Sequence, residues 1–309
     1  MKNPKTMIDF IGDIHGHADK LEALLLKLDY SKRNGIYSHS ERKALFVGDY
    51  IDRGPQIRET LEIVKRMVES EMAIALMGNH EYNAICFHLK AMDGGHLRAH
   101  SIKNIIQHQA TLSQFQNRQS EYEMYLEWFK TLPLFYETEE FRAVHACWDK
   151  TSIEYLKENL VEGKLTDELI YQSVQTGTAL HDAIEQILKG KEIKLPKGLS
   201  FKDKDGNERN EIRIKWWEDP KQMTYREISV EPIDNLPNQL VEIPEIDSSD
   251  YYQSNDKKVF FGHYWLKGEP SFYKNNICCL DYSVAKGGKL VAYRLNNEES
   301  LEKRNLIHI

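Results

Sequence analysis

Three times within the first eighty residues a short apolar run stops at a glycine followed at once by Asp or Asn. Residues 7–11 (Met-Ile-Asp-Phe-Ile) lead into Gly12-Asp13, residues 43–47 (Lys-Ala-Leu-Phe-Val) into Gly48-Asp49, and residues 72–77 (Met-Ala-Ile-Ala-Leu-Met) into Gly78-Asn79. Between the runs, Leu21, Leu24, Leu25 and Leu28 recur at the spacing of one helix face, as do Ile57, Leu61, Val64 and Val68. Strand, loop and helix therefore repeat. That order predicts an α/β sheet with polar groups gathered where the strands end. A glycine at each strand end lets the backbone turn sharply and present the short side chain after it.

The remainder of the chain reads differently. Residues 88–132 are mostly helical, with Tyr122, Leu126 and Phe129 on one spacing, and residues 143–146 form a short strand. Residues 165–190 read as helix. The Asp-Gly turn signal in 203–207, flanked by Phe201 and by Ile212, Ile214 and Trp216, predicts a hairpin. Residues 229–257 are rich in Pro, Asp, Asn and Ser and read as loop, and strands return at 258–261, 277–280 and 289–295. No internal repeat interrupts this order. The expectation is one domain over 1–309 with an insertion at roughly 150–257. The net charge of −7 does not point to stable nucleic-acid binding. No stretch reaches the ~18–20 apolar residues of a spanning helix, and the first residues lack the apolar core of a signal peptide. The four cysteines make no Cys-x-x-Cys pair. They suit a reducing compartment, so a cytoplasmic location is expected.

The chemistry is concentrated in Gly12-Asp13-Ile14-His15-Gly16, Gly48-Asp49-Tyr50-Ile51-Asp52-Arg53-Gly54 and Gly78-Asn79-His80-Glu81. Asp and His suit ions such as Mn, Fe or Zn, and an Asp carboxylate can bridge two of them. Any one segment alone reads as a polar turn. Three in order, each at a strand end, point to a metal centre.

These segments resemble the signature of the calcineurin-like metallophosphoesterases, and within them the phosphoprotein phosphatase branch. Val144-His145-Ala146 and Gly262-His263-Tyr264 resemble the two later histidine segments of that family, with Ala146-Cys147 where the family often has Gly-Gly. The resemblance covers about 1–86, 143–149 and 258–295. It implies a four-layer α/β–β/α sandwich of two mixed sheets, with a central helical and hairpin insertion. It also implies two divalent ions: manganese first, with Fe, Zn, Co or Ni as other occupants. Asp13 and His15 would hold one ion, Asp49 would bridge, and Asn79, His145 and His263 would hold the other. A metal-bridging hydroxide would attack phosphorus. His80 would serve as general acid, oriented and charged by Asp52. Arg53 would clamp phosphate oxygens as a planar fork, and Glu81 would either back the metal ligands or simply hold the loop. Lys215-Trp216-Trp217-Glu218-Asp219-Pro220 faintly resembles a family segment that precedes a second phosphate-binding arginine, for which Arg213 and Arg226 are candidates. His17 adjoins the first motif. His88, His96, His100, His108, His181 and His308 read as surface or core residues.

The activity implied is phosphomonoester hydrolysis, of the kind carried out by serine/threonine or tyrosine protein phosphatases. A dinucleoside tetraphosphatase or a polynucleotide-end phosphatase is the alternative, since Trp216, Trp217 and Tyr225 could stack on a base. The partner is then a phosphorylated protein or a nucleotide. A non-catalytic metal-binding scaffold is the remote alternative.

Overall fold

The computed structural model describes residues 7–92, 94–202, 208–233, 236–242 and 251–309. Met7–Ile11, Arg42–Phe46 and Ala73–Ala75 lie side by side and parallel. Lys289–Leu295 runs antiparallel beside the first of them, and both Asp281–Tyr282 and Leu306–His308 pair with it. A second mixed sheet holds Ile277–Cys279, Lys258–Phe261 and Phe141–Val144 in parallel, with Phe135–Glu137 antiparallel at its edge. Alternation along the strands sorts the layers. Ile8, Phe10, Leu45 and Val47 of the first sheet meet Phe141, Ala143, Phe260 and Cys278 of the second in one core. The Phe10 ring stacks on Phe260 with centroids 3.7 Å apart.

The opposite faces bury themselves under helices. Ile11, Ala44 and Phe46 share a core with Leu21 and Leu25 of Ala18–Lys27 and with Leu61 and Val64 of Ile57–Glu69. Val259, Phe261 and Ile277 join the same cluster, as do Ile184 and Ile187 of Ala179–Lys189. The result is the expected helix–sheet–sheet–helix sandwich. Parallel pairing in register, with Ile11 opposite Phe46 and Phe46 opposite Ala75, brings the three glycine-led loops to one rim.

The central part departs from the expected single hairpin. Phe201–Lys202 pairs with Glu208–Arg209, whereas Glu211–Arg213 pairs back on Glu192–Lys194. The turn at 203–207 lies outside the described residues. Ile212 is drawn to its partner because it fills a small separate core with Leu195, Tyr225, Ile228 and Leu236. Trp216 and Trp217 are buried against Phe261. Tyr225 is buried in the small core. None of the three is placed to stack on a base, which corrects that expectation.

Glu137 ties the second sheet together at the end of its parallel strands away from the rim. Its Oε1 accepts from Arg142 Nε at 2.8 Å and Lys257 Nζ at 3.0 Å, and Oε2 pairs with Lys157. Burial works to raise its carboxyl, but the Lys157, Arg142 and Lys257 bonds outweigh it and hold the group down to about 2. A depressed folded-state value stabilises the fold above the ordinary carboxylate range, and the contribution disappears as pH falls toward 2. Because the partner lysines are partly solvated, we expect on the order of 2 kcal/mol at neutral pH. Glu137→Gln should therefore melt earlier than the parent at pH 7. The gap should close between pH 4.5 and 2; a gap independent of pH would discount the charge network.

Candidate metal centre

Five loops meet at the rim, and hydrogen bonds join them pairwise. Ile14 and His15 donate their N–H groups to Asp49 O at 3.1 and 2.9 Å. Gly262 N donates to His145 O at 2.8 Å. His263 N donates to Asp13 Oδ2 at 2.9 Å. Glu81 fastens the second and third loops: Gly78 N and Asp49 N donate to Oε2 at 3.0 and 2.9 Å, and Tyr50 N donates to Oε1 at 2.8 Å. Burial and the neighbouring Asp49 push the Glu81 carboxyl up to about 7. Two glycines have no substitute here. A Cβ on Gly48, at φ +112°, would sit 2.6 Å from Gly78 Cα, and one on Gly262 would sit 1.8 Å from Asp13 Oδ1. His15, Asp49, Asp52, Arg53 and His263 all hold left-handed backbone without being glycine. Each such residue costs about 1–3 kcal/mol and persists only where its surroundings over-determine it.

Asp49 stands at the middle. Its Oδ2 lies 3.6 Å from His15 Nε2 and 4.0 Å from His80 Nε2, and its Oδ1 lies 3.5 Å from His145 Nε2. Two groups of possible ligand atoms share it: His15, Asp49 and His80, and Asp49, His145 and His263. The imidazoles are set for coordination. His15 Nδ1 is 2.9 Å from Ile51 O and His145 Nδ1 is 2.9 Å from Val47 O. A carbonyl only accepts, so both rings carry their proton on Nδ1 and turn an Nε2 lone pair inward. Asn79 Oδ1 lies between the rings of the second group, 3.0 Å from His145 Nε2 and 2.8 Å from His263 Nδ1. Asp13 Oδ1, His15 Nε2 and His263 Nε2 are buried with no hydrogen-bond partner. Burial, Asp281 and Asp49 together push the Asp13 carboxyl well above its ordinary range. Burial drives His15 down to about 3. Buried polar atoms left without partners beside crowded carboxylates are what a bound cation would satisfy, so these residues fit divalent metal.

The general-acid candidate sits beside this cluster. His80 Nδ1 is 2.5 Å from Asp52 Oδ2. Burial acts to lower the His80 value, but the Asp49 and Asp52 carboxylates outweigh it and raise it. A cleft of about 590 Å³ opens in front and reaches Asp49, Arg53, Asn79, His80, Arg213 and His263. The Arg53 guanidinium lies 4.2 Å over the Trp265 ring. Arg226 is not at the cleft: it lines a separate cavity and donates to Leu236 O at 3.3 Å. His17 bonds through Nδ1 to Ile14 O and His15 O rather than to the ligand cluster.

Three features were not foreseen. His108, read as an ordinary surface or core residue, is buried with Nδ1 2.8 Å from Asp52 Oδ1. Asp281 is buried and holds the N–H groups of Trp265 and Ser283 at 2.7 and 2.9 Å. Its signal was in the sequence, an Asp closing the apolar run 277–280, like Asp13 and Asp49. Trp265, and not Trp216 or Trp217, is the indole at the cleft.

Comparison with known proteins agrees with this geometry. A family model for calcineurin-like phosphoesterases matches residues 6–264. The asymmetrical bis(5'-nucleosyl)-tetraphosphatase PrpE of Oceanobacillus iheyensis is 46% identical over 74 residues, 24% of this chain and 30% of that protein. The protein of the same name from Geobacillus sp. (strain WCH70) is 49% identical over 74 residues, with the same shares. The matched stretch is thus less than a third of either relative. Among solved structures, the cold-active protein-tyrosine phosphatase of a psychrophilic Shewanella superposes with TM-score 0.51 at 17% identity, over 96% of this chain and 80% of that one. A protein serine/threonine phosphatase from Saccharomyces cerevisiae gives TM-score 0.51 at 14% identity, over 99% and 80%. These two likenesses are of fold.

Proposed function

The chain belongs to the calcineurin-like phosphoesterase family, and from that premise we propose that it hydrolyses phosphate esters with two divalent ions. The observation that carries this is the Asp49 carboxylate shared by two imidazole groups, with buried ligand atoms on either side left without partners. Asp13 and His15 would hold one ion, Asn79, His145 and His263 the other, and Asp49 would serve both. Bound there, the pair supplies Lewis-acid activation of water and neutralises charge on the phosphoryl group. Its donor set of carboxylates, imidazoles and an amide oxygen suits manganese, and Fe, Zn, Co and Ni are compatible.

The chain's own groups do the rest. Arg53 and Arg213 grip phosphate oxygens from the cleft wall. His80, held through Nδ1 by Asp52, gives its Nε2 proton to the leaving oxygen. Residues 150–257 act as a cap, a reading supported by Lys189, Arg209 and Arg213 at the cleft wall. A cytoplasmic setting belongs to the same reading, supported by four buried, unpaired cysteines.

A phosphorylated protein side chain is the first substrate reading. A dinucleoside tetraphosphate is the second, favoured by cleft charge. Arg53, Arg98, Lys103, Lys189, Arg209 and Arg213 line the cleft, against Asp49, Asp52, Asp182, Glu185 and Glu192. Two divalent ions would turn that near balance strongly positive, and a polyanion would be drawn to it.

Chelator-stripped protein should be inactive toward p-nitrophenyl phosphate and regain turnover with Mn²⁺. A panel of phosphopeptides and dinucleoside tetraphosphate then ranks the two substrate readings by kcat/KM. Absence of turnover on all of them with every divalent metal would defeat the phosphoesterase reading and revive the non-catalytic scaffold.

A further inference from the structure

Asp52 has more partners than an Asp–His pair needs. Its Oδ2 goes to His80, while its Oδ1 receives two further groups, His108 Nδ1 at 2.8 Å and Thr111 Oγ1 at 2.5 Å. Thr111 Oγ1 also accepts from Asp52 N at 3.0 Å, so one hydroxyl grips both ends of the residue. Asp52 holds φ 66°, a left-handed conformation unfavourable for a non-glycine residue. His108 and Thr111 lie on helix Ile102–Gln114, and both are buried. Behind them, Tyr122 of helix Gln119–Lys130 places its hydroxyl 2.8 Å from His108 Nε2.

The chemistry of the donors orders this chain. A carboxylate that accepts from three side chains has no freedom to rotate. His108 Nδ1 faces that carboxylate and so carries a proton. In the neutral ring Nε2 then accepts from the Tyr122 hydroxyl, which sets the tautomer and the ring plane. Hydrogen bonds from His108 and His80 overcome burial and hold the Asp52 carboxyl below its ordinary range. With Oδ1 occupied from the helix side, Oδ2 is presented to His80 alone.

We propose that His108, Thr111 and Tyr122 are positioning residues for proton donation to the leaving group. They clamp Asp52 so that His80 aims Nε2 at the departing oxygen. This rests on the phosphoesterase reading above and adds a set of residues that act through Asp52.

The test compares phenyl phosphate, a poor leaving group, with p-nitrophenyl phosphate on the metal-loaded protein. Thr111→Val and Tyr122→Phe each delete one hydroxyl and spare the volume; His108→Ala removes the ring. Each is made alone and with His80→Ala, and thermal melting and metal content are recorded. We expect kcat on phenyl phosphate to fall roughly 10–100-fold, the range for groups that orient a functional residue. KM should change little, the loss on p-nitrophenyl phosphate should be much smaller, and none should add to His80→Ala. Equal losses on both esters, or losses that multiply with His80→Ala, would overturn the proposal in favour of a merely structural helix contact. If His108→Ala does not fold, the two hydroxyl deletions decide by the same criteria. A parent protein inactive on both esters and on the wider substrate panel would instead sink the phosphoesterase reading, and the proposal with it.

Discussion

Asp49→Asn protein should fold, lose most of its bound metal and turn over p-nitrophenyl phosphate on the order of 10³-fold more slowly than its parent, in the range seen when a centre of transition-state charge stabilisation is disabled. The substitution keeps the side chain's shape and one carbonyl oxygen. It replaces the other oxygen by an amide nitrogen that cannot ligate, and it removes the negative charge. That charge lies within 4.0 Å of three imidazole nitrogens, on His15, His80 and His145. The same side chain also accepts from His80 N at 3.0 Å through Oδ1. One change therefore affects both ion sites together. Elemental analysis after desalting gives the stoichiometry directly. Near-parental metal content together with near-parental kcat would mean that Asp49 is not the shared ligand.

His80→Ala separates proton donation from metal binding. If His80 is the general acid, kcat for phenyl phosphate should fall roughly 10²–10⁴-fold. Metal content should stay at the parental level. The defect should shrink for p-nitrophenyl phosphate, whose leaving oxygen departs without needing a proton. Geometry leaves one competing role to exclude: His80 Nε2 stands with His15 and Asp49 in one group of possible ligands. Loss of an ion from the His80→Ala protein would make His80 a ligand. A defect of equal size for both esters would remove it from proton transfer. Its Nδ1 contact with Asp52 favours the acid role, because it commits the inner nitrogen and leaves Nε2 facing the cleft.

Much of the sandwich was legible along the chain. Ile8 and Phe10 alternate with Asp9 and Ile11, and the leucines of Ala18–Lys27 repeat at helical spacing, so each side chain's layer follows from local periodicity. The three glycine-led segments were legible for the same reason. Parallel strands joined by short helices must end on one rim, so residues that follow them in sequence meet in space. The described parts of the insertion were less legible. Ile212 carries an apolar signal, but nothing near it in sequence says that its partner is Ile193 rather than Phe201.

The residues around Asp52 show where sequence reasoning stops. On a helix, His108 reads as an ordinary surface or core residue, Tyr122 as part of one helix face, and Thr111 carries no special pattern. Their meaning comes from a helix that folds back on a loop more than fifty residues earlier in the chain. The same holds for chemically identical alternatives. Arg213 and Arg226 were indistinguishable as sequence, and packing put only Arg213 at the cleft. Trp216 and Trp217 looked more available than Trp265, yet they filled the core while Trp265 met Arg53. The sequence by itself determined the layers, the strand ends and the kinds of polar side chain gathered there, because hydrophobic period and backbone turns act over a few residues. Only the tertiary structure decided which arginine and which indole reach the cleft and which histidine backs Asp52, because long-range packing selects among side chains of the same chemistry.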